Sequence, residues 1–127
     1  MSHFPKTKKT AVRASTVLTG SYVAATTMEE VEDYNQLDLY CYFTLGDLTS
    51  LEIKVETSLD NSNFVQETNL SISGATGTLT KGEFTIATTG NFKISLPVSA
   101  HYVKVSAKGT GTVTSSLLQI DGFLSWM

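Results

Sequence analysis

Short segments of alternating apolar and polar residues recur along the chain, and this pattern restricts its fold more than any other feature. Leu51–Thr57 alternates strictly, with aliphatic residues on one side and mostly charged residues on the other. The segments 83–88, 92–96 and 102–106 are built similarly, and turn-forming residues lie between them. A period of two is typical of strands with one buried face. About eight or nine short strands, spaced roughly 8–12 residues apart, predict an all-β sandwich or barrel.

Hydroxyl-bearing residues supply much of the polarity. The 127 residues include 19 Thr and 14 Ser, whereas charged residues make up 17%. Thr is β-branched and suits a pleated surface. With 9 Gly and only 2 Pro, this composition argues against a helical bundle, a coiled coil and a disordered tail protein. No apolar run approaches the ~18–20 residues that span a bilayer, so no membrane is expected as a partner.

Charge is distributed unevenly along the chain. Lys6, Lys8, Lys9 and Arg13 carry +4 with no acid among them, whereas residues 14–127 hold five basic and twelve acidic residues and carry −7. This asymmetry indicates that the two parts meet different partners. We therefore predict that the four basic residues bind an acidic surface on another protein. A solvated terminus without a partner is the alternative.

The first strand is predicted within residues 16–24, after the basic segment. We accordingly expect residues 1–14 to form a flexible basic arm and residues 15–127 to form a single β-sandwich domain. Four cations without interleaved aromatic residues, on an acidic domain, argue against nucleic acid as the partner.

Gln36–Leu45 is predicted to be a strand that is apolar on both faces, as in a strand that lies at an interface. Tyr40 and Tyr42 share one of these faces. Because tyrosine is enriched at protein interfaces, both are predicted to mediate self-association or another protein contact. Trp126, in the apolar C-terminal segment, is predicted to do the same. Flat rings also stack on sugars, so a carbohydrate-binding module is the alternative function.

No catalytic, metal or cofactor site can be assembled from the sequence. Paired histidines, cysteine pairs, a glycine-rich phosphate loop and the GxSxG pattern are absent. The single cysteine, Cys41, lies in an apolar-aromatic run and is predicted to be a buried, inert thiol. The first residues lack the apolar region of a secretory signal, so we expect a chain made and used without export by that route.

Two segments carry a resemblance to a known group of proteins. Leu51–Glu67 resembles small β-sandwich proteins of tailed bacteriophage particles, in which a strand is followed by S-x-D-G/N and an aromatic residue. His101–Val113 looks like their later strand-turn-strand, so the resemblance covers about residues 35–120. Where those proteins often have Gly after the Asp and Trp further on, this chain has Asn61 and Phe64. The resemblance implies a jelly-roll-like virion component and brings no catalytic residues.

The predicted function is therefore structural and non-enzymatic. We expect one jelly-roll-like antiparallel β-sandwich of about eight short strands that binds other virion proteins, in the capsid or the tail. A capsid decoration protein or a head or tail accessory protein fits this description. It would be made in the host cytoplasm, reside in the virion and form a homo-oligomer, with a trimer as the candidate size.

Overall fold

The computed structural model describes residues 6–25, 31–66, 68–81 and 83–126. Within these ranges the chain forms eleven strands, one 3-10 turn at Val31–Asp33 and no α-helix. The strands are β1 (Lys6–Thr16), β2 (Val23–Ala24), β3 (Gln36–Thr44), β4 (Leu48–Ser58), β5 (Val65–Gln66), β6 (Thr68–Ser73), β7 (Thr76–Lys81), β8 (Phe84–Ile86), β9 (Gly90–Pro97), β10 (Tyr102–Gly111) and β11 (Leu117–Trp126).

Two antiparallel sheets form the framework. The first sheet has the order β1-β11-β3-β9, and the second has the order β2-β10-β4, with β5 and β8 both pairing with β4. Eight strands remain when the short β5 and the separate β6–β7 hairpin are set aside. If these eight strands are renumbered 1 to 8 along the chain, β8 becomes strand 5, β9 strand 6, β10 strand 7 and β11 strand 8. One sheet then has the order 1-8-3-6, and the other has the order 2-7-4-5. This is a jelly-roll arrangement, and it confirms the predicted all-β antiparallel sandwich.

The core lies between the two sheets and follows the predicted alternation. On β3 the residues Leu37, Leu39, Cys41 and Phe43 are buried. The second sheet contributes buried aliphatic side chains from β4 and β10, and β11 adds others from the first sheet. These further core residues are Leu51, Ile53, Val103, Val105, Leu118, Ile120 and Leu124. The inward positions Leu51 and Ile53 of β4 are therefore those that the alternation in the sequence predicted.

The structure differs from the predicted flexible arm. Residues 6–16 form β1, an edge strand in which Lys6 lies opposite Trp126 and Ala11 lies opposite Asp121. Val12 is only 3% exposed and belongs to the core. The sandwich therefore begins at Lys6, ahead of the predicted boundary between residues 14 and 15, while residues 1–5 of the predicted arm lie outside the described residues. Most β1 side chains are exposed, so they show no apolar alternation in the sequence.

The turn at residues 60–63, between β4 and β5, is held by side-chain hydrogen bonds. The Asp60 carboxylate accepts hydrogen bonds from the backbone N–H groups of Ser62 and Asn63, at 2.9 and 2.8 Å. These bonds favour the charged carboxylate and hold the pKa of Asp60 well below its usual range. Asn61 adopts a positive φ of 62°, which an Asn tolerates at a tight turn.

Candidate interface on the outer face of the first sheet

Tyr40 and Tyr42 occupy the outer face of β3, an inner strand of the first sheet. They alternate with the buried residues Leu39 and Cys41, so their side chains point away from the core. Tyr40 is 39% exposed and Tyr42 is 41% exposed. Since the strand lies between β11 and β9, both rings stand in the middle of a broad sheet surface.

Polar side chains flank the two tyrosines on the neighbouring strands. Tyr40 lies opposite Asp121 of β11 and Lys93 of β9. The Lys93 Nζ lies 5.7 Å from the centroid of the Tyr40 ring, within cation–π range. Gln119 lies opposite Tyr42, and its Nε2 donates a hydrogen bond to Asp121 Oδ2 at 3.3 Å. The two rings are therefore held among groups that can donate or accept hydrogen bonds.

A shallow groove runs beside these rings and joins two parts of the sequence that were predicted separately. It has a volume of about 240 Å³ and is lined by Lys9, Tyr40, Tyr42, Asp121, Gly122 and Phe123. Lys9 reaches this place because β1 pairs with β11 and sets Lys9 opposite Phe123. We call the side chains of Lys9, Tyr40, Tyr42, Asp121 and Phe123 the tyrosine face.

Arg13 does not join the tyrosine face and makes structural hydrogen bonds instead. Its Nε donates to the carbonyl oxygen of Leu118 at 3.1 Å, and its Nη2 donates to that of Val17 at 3.0 Å. Burial lowers the pKa of its guanidinium. Arg13 also sits between two register shifts in the pairing of β1 with β11. It therefore fastens an irregular stretch of the edge strand, whereas Lys6 and Lys8 are exposed.

Trp126 lies apart from the two tyrosines. It follows Leu124 by two positions on β11, so it shares the side of the strand that faces the core, beyond the end of the packed region. It lies opposite Lys6 and is 37% exposed. A contact through Trp126 would therefore use the end of the sheet and not the surface around Tyr40.

Cys41 is buried beneath this surface, on the core side of β3. Desolvation raises the pKa of its thiol to about 12, so almost no thiolate forms at neutral pH. Over the described parts of the chain, no group of three or more His, Cys, Asp and Glu side chains is placed to hold a metal ion. In the same ranges, no helix has the length and apolar character needed to cross a membrane.

Cys41 is expected to resist thiol reagents as long as the protein is folded, because its thiol is both buried and protonated. Labelling at mildly alkaline pH, followed by intact-mass spectrometry, checks this. The folded chain should remain unmodified during an incubation in which the urea-unfolded chain takes up one label. Fast labelling of the folded chain would contradict the buried position of the Cys41 side chain on β3.

A second surface feature was not found from the sequence. A recess of about 290 Å³ lies at one end of the sandwich, lined by residues that include Ser58, Asp60 and Ala100. The aliphatic residues Leu59 and Val65 also line it and are exposed. The recess joins the β4–β5 and β9–β10 connections, and nothing in the sequence pattern indicates that these two loops meet.

Comparison with known proteins shows the fold of this chain. No protein-family model and no curated protein matches the sequence. The chain is similar to the SPBc2 prophage-derived protein YomS, with a TM-score of 0.56 at 15% identity, over 98% of this chain and 97% of that one. It is equally similar to a protein of Bacillus endospore appendages, which form disulfide-linked pili, with a TM-score of 0.56 at 12% identity, over 98% of this chain and 91% of that one.

Proposed function

We propose that this protein is a non-enzymatic structural component of a bacteriophage particle and that it acts by protein–protein binding through the tyrosine face. The observation that carries the proposal is the pair of exposed rings, Tyr40 and Tyr42, set beside a groove in the middle of a sheet. Exposed tyrosines beside a groove are typical of interface anchors, because each ring buries a large area at little entropic cost. A capsid decoration protein or a head or tail accessory protein is the form we propose.

Charge around the tyrosine face indicates the kind of partner surface. Lys9 approaches from β1 and Lys93 from β9, on opposite sides of the two rings. Lys6 and Lys8 lie opposite Trp126 and Leu124, on the other face of β1 from Lys9, so they do not belong to the tyrosine face. The proposed partner surface is therefore apolar at its centre and acidic at its rim, so that it matches this arrangement.

The fold likeness supports an assembled particle. The two similar structures come from a prophage-derived protein and from appendages that form pili. Disulfide linkage into a polymer needs two accessible thiols in each subunit, whereas these 127 residues hold only the buried Cys41. We propose non-covalent assembly, with self-association that multiplies weak contacts on a repeating lattice. The place of action would be the virion, after synthesis in the host cytoplasm.

The proposal predicts that replacing both tyrosines removes particle binding. Bacteriophage particles that were assembled without this protein would be mixed with the purified protein and sedimented. The protein that sediments with the particles would then be quantified. Wild-type protein should bind, and the Tyr40→Ser/Tyr42→Ser variant should bind at least about tenfold more weakly, as expected when two anchors of a few kcal/mol or less are lost. Both side chains point outward, so the variant should stay folded.

The matched control is Val23→Ser, which removes a similarly exposed apolar side chain, 47% exposed, from the second sheet. This variant should bind particles as the wild type does. Equal binding of the wild type and the tyrosine variant, or no binding of the wild type above background, would contradict the proposal.

A carbohydrate-binding function is the second candidate, and the polar groups beside the rings favour it. Asp121, Gln119 and Lys93 could hydrogen-bond to sugar hydroxyls while Tyr40 stacks on the ring. The Tyr40→Ser/Tyr42→Ser variant and its Val23→Ser control also distinguish particle binding from carbohydrate binding. Glycan binding on an array that is lost in the Tyr40→Ser/Tyr42→Ser variant, without any particle binding, would favour the sugar.

A further inference from the structure

The edge strands of the two sheets differ in how well they are protected against pairing with another chain. A free edge offers unpaired backbone N–H and C=O groups, and proteins guard it with short strands, bulges or lysines. In the second sheet, the edge strands β2, β5 and β8 have only two, two and three residues. In the first sheet, β1 carries four basic residues and two register shifts. These four edges are guarded.

The remaining edge, β9, lacks most of this protection. It runs for eight residues, pairs with β3 in a regular register at every position, and contains one charged residue, Lys93. No strand among the described residues pairs with its other side. An edge of this length and regularity is suited to pairing with a further strand.

The sequence of β9 is complementary to itself in one antiparallel register. Phe92, Ile94 and Leu96 lie on the core side, and Lys93 and Ser95 lie on the outer side. In a two-fold arrangement centred on Ile94, Phe92 lies opposite Leu96 of the second copy, and Lys93 lies opposite Ser95 of the second copy. A register centred on Lys93 would instead set two lysines directly opposite each other, which is unfavourable.

We propose that a second copy of this chain pairs with β9 across a two-fold axis at Ile94 and joins the two first sheets into one continuous sheet of eight strands. This dimer gives a specific form to the self-association in the proposed function and rests on it. It also sets two tyrosine faces on the same side of one sheet, so that a particle would meet a bivalent surface. Such an interface is isologous and closes at two copies, in place of the trimer that the sequence suggested as a candidate.

The alternative partner for β9 is β1 of a second copy, which would extend the sheet into an open chain. The strand directions permit it, because the order β1-β11-β3-β9 alternates direction and a translated copy would bring β1 antiparallel to β9. Charge opposes it, because the four cations of β1 would meet Lys93 with no acid on either strand. The register shifts of β1 further disturb a regular ladder.

Ser95 allows a charge test in which effects on the dimer and on the monomer have opposite signs. Within one chain, Ser95 lies opposite Asp38 of β3, and it is exposed. In the proposed dimer it also lies opposite Lys93 of the second copy, twice by symmetry. Ser95→Lys should therefore weaken the dimer about two- to thirtyfold, because two like-charge pairs form, while its ammonium group favours the folded monomer through Asp38. Ser95→Glu should tighten the dimer while it disfavours the monomer.

Sedimentation equilibrium over a wide concentration series measures both dimer constants, and thermal melting at low concentration measures the monomers. The expected order of dimer affinity is Ser95→Glu, wild type, Ser95→Lys, with the opposite order of monomer melting temperatures. A wild type that stays monomeric throughout, or dimer constants that do not respond to either substitution, would overturn the proposal. Particle binding by a monomeric wild type would leave the proposed function intact, whereas a dimer that binds no particle would remove only that function.

Discussion

A chain shortened to begin at Ser15 is expected to lose about 3 kcal/mol or more of its free energy of unfolding. The shortening removes most of β1, including Val12, whose buried side chain alone contributes about 1.5–3 kcal/mol. It also leaves β11 as an unprotected edge, because Lys6 to Ala11 would no longer pair with it. Urea denaturation of the full and shortened chains, with the midpoint and the slope fitted separately, measures the loss.

The control for this experiment keeps the strand and removes only its charge. Lys6→Ser/Lys8→Ser alters two exposed side chains on β1 and should change the free energy of unfolding by no more than about 0.5 kcal/mol. A shortened chain as stable as the full chain would mean that residues 1–14 are a free arm, as the sequence suggested, and that the pairing of β1 with β11 contributes nothing.

Gly46→Ala is expected to destabilise the protein by about 2–4 kcal/mol, because two costs add. Gly46 has a φ of 59°, a conformation that costs an Ala about 1–2 kcal/mol. A Cβ there would also lie only 2.5 Å from the carbonyl oxygen of Ser115, which belongs to a backbone and cannot rotate away. The connection between β3 and β4 would have to separate from the one before β11. The melting temperature should fall by about 10 °C.

Gly74→Ala separates the two costs. Gly74 has a nearly identical φ of 62°, but nothing lies within 4 Å of a Cβ built on it. Its substitution should therefore cost only the backbone term, about 1–2 kcal/mol. If calorimetry gave equal losses for the two alanine variants, the close approach of Gly46 to Ser115 would be refuted.

The strands that the sequence revealed are those with one face in the core. On β4, burial of Leu51 and Ile53 beside outward charges produces the alternation that identified the strand. The edge strand β1 has no such signal, because most of its side chains are exposed and only Val12 is deeply buried. The basic residues of this segment therefore predict an arm. Backbone pairing with β11 determines its structure, and pairing leaves no apolar pattern.

The same distinction explains how much of the tyrosine face could be predicted. Tyr40 and Tyr42 were identified because they place aromatic side chains on the face of β3 that should be polar. For Lys9 the sequence offers only its charge, which predicts a place in a flexible arm. Its place beside Phe123 depends on the register of β1 with β11, at the two ends of the chain. The flanking positions of Asp121 and Lys93 depend on the registers of β11 and β9 with β3. Local patterns predict which face a side chain occupies, but they do not predict which strand lies beside it.

The most direct test of the central claim is hydroxyl-radical footprinting of the protein, free and bound to its particle. The account predicts that oxidation of Tyr40 and Tyr42 falls several-fold on binding, because a partner covers their exposed rings. Oxidation of Leu59, an exposed residue at one end of the sandwich, should stay unchanged and serves as the internal reference. Unchanged oxidation of both tyrosines in the bound protein would contradict the tyrosine face as the binding surface.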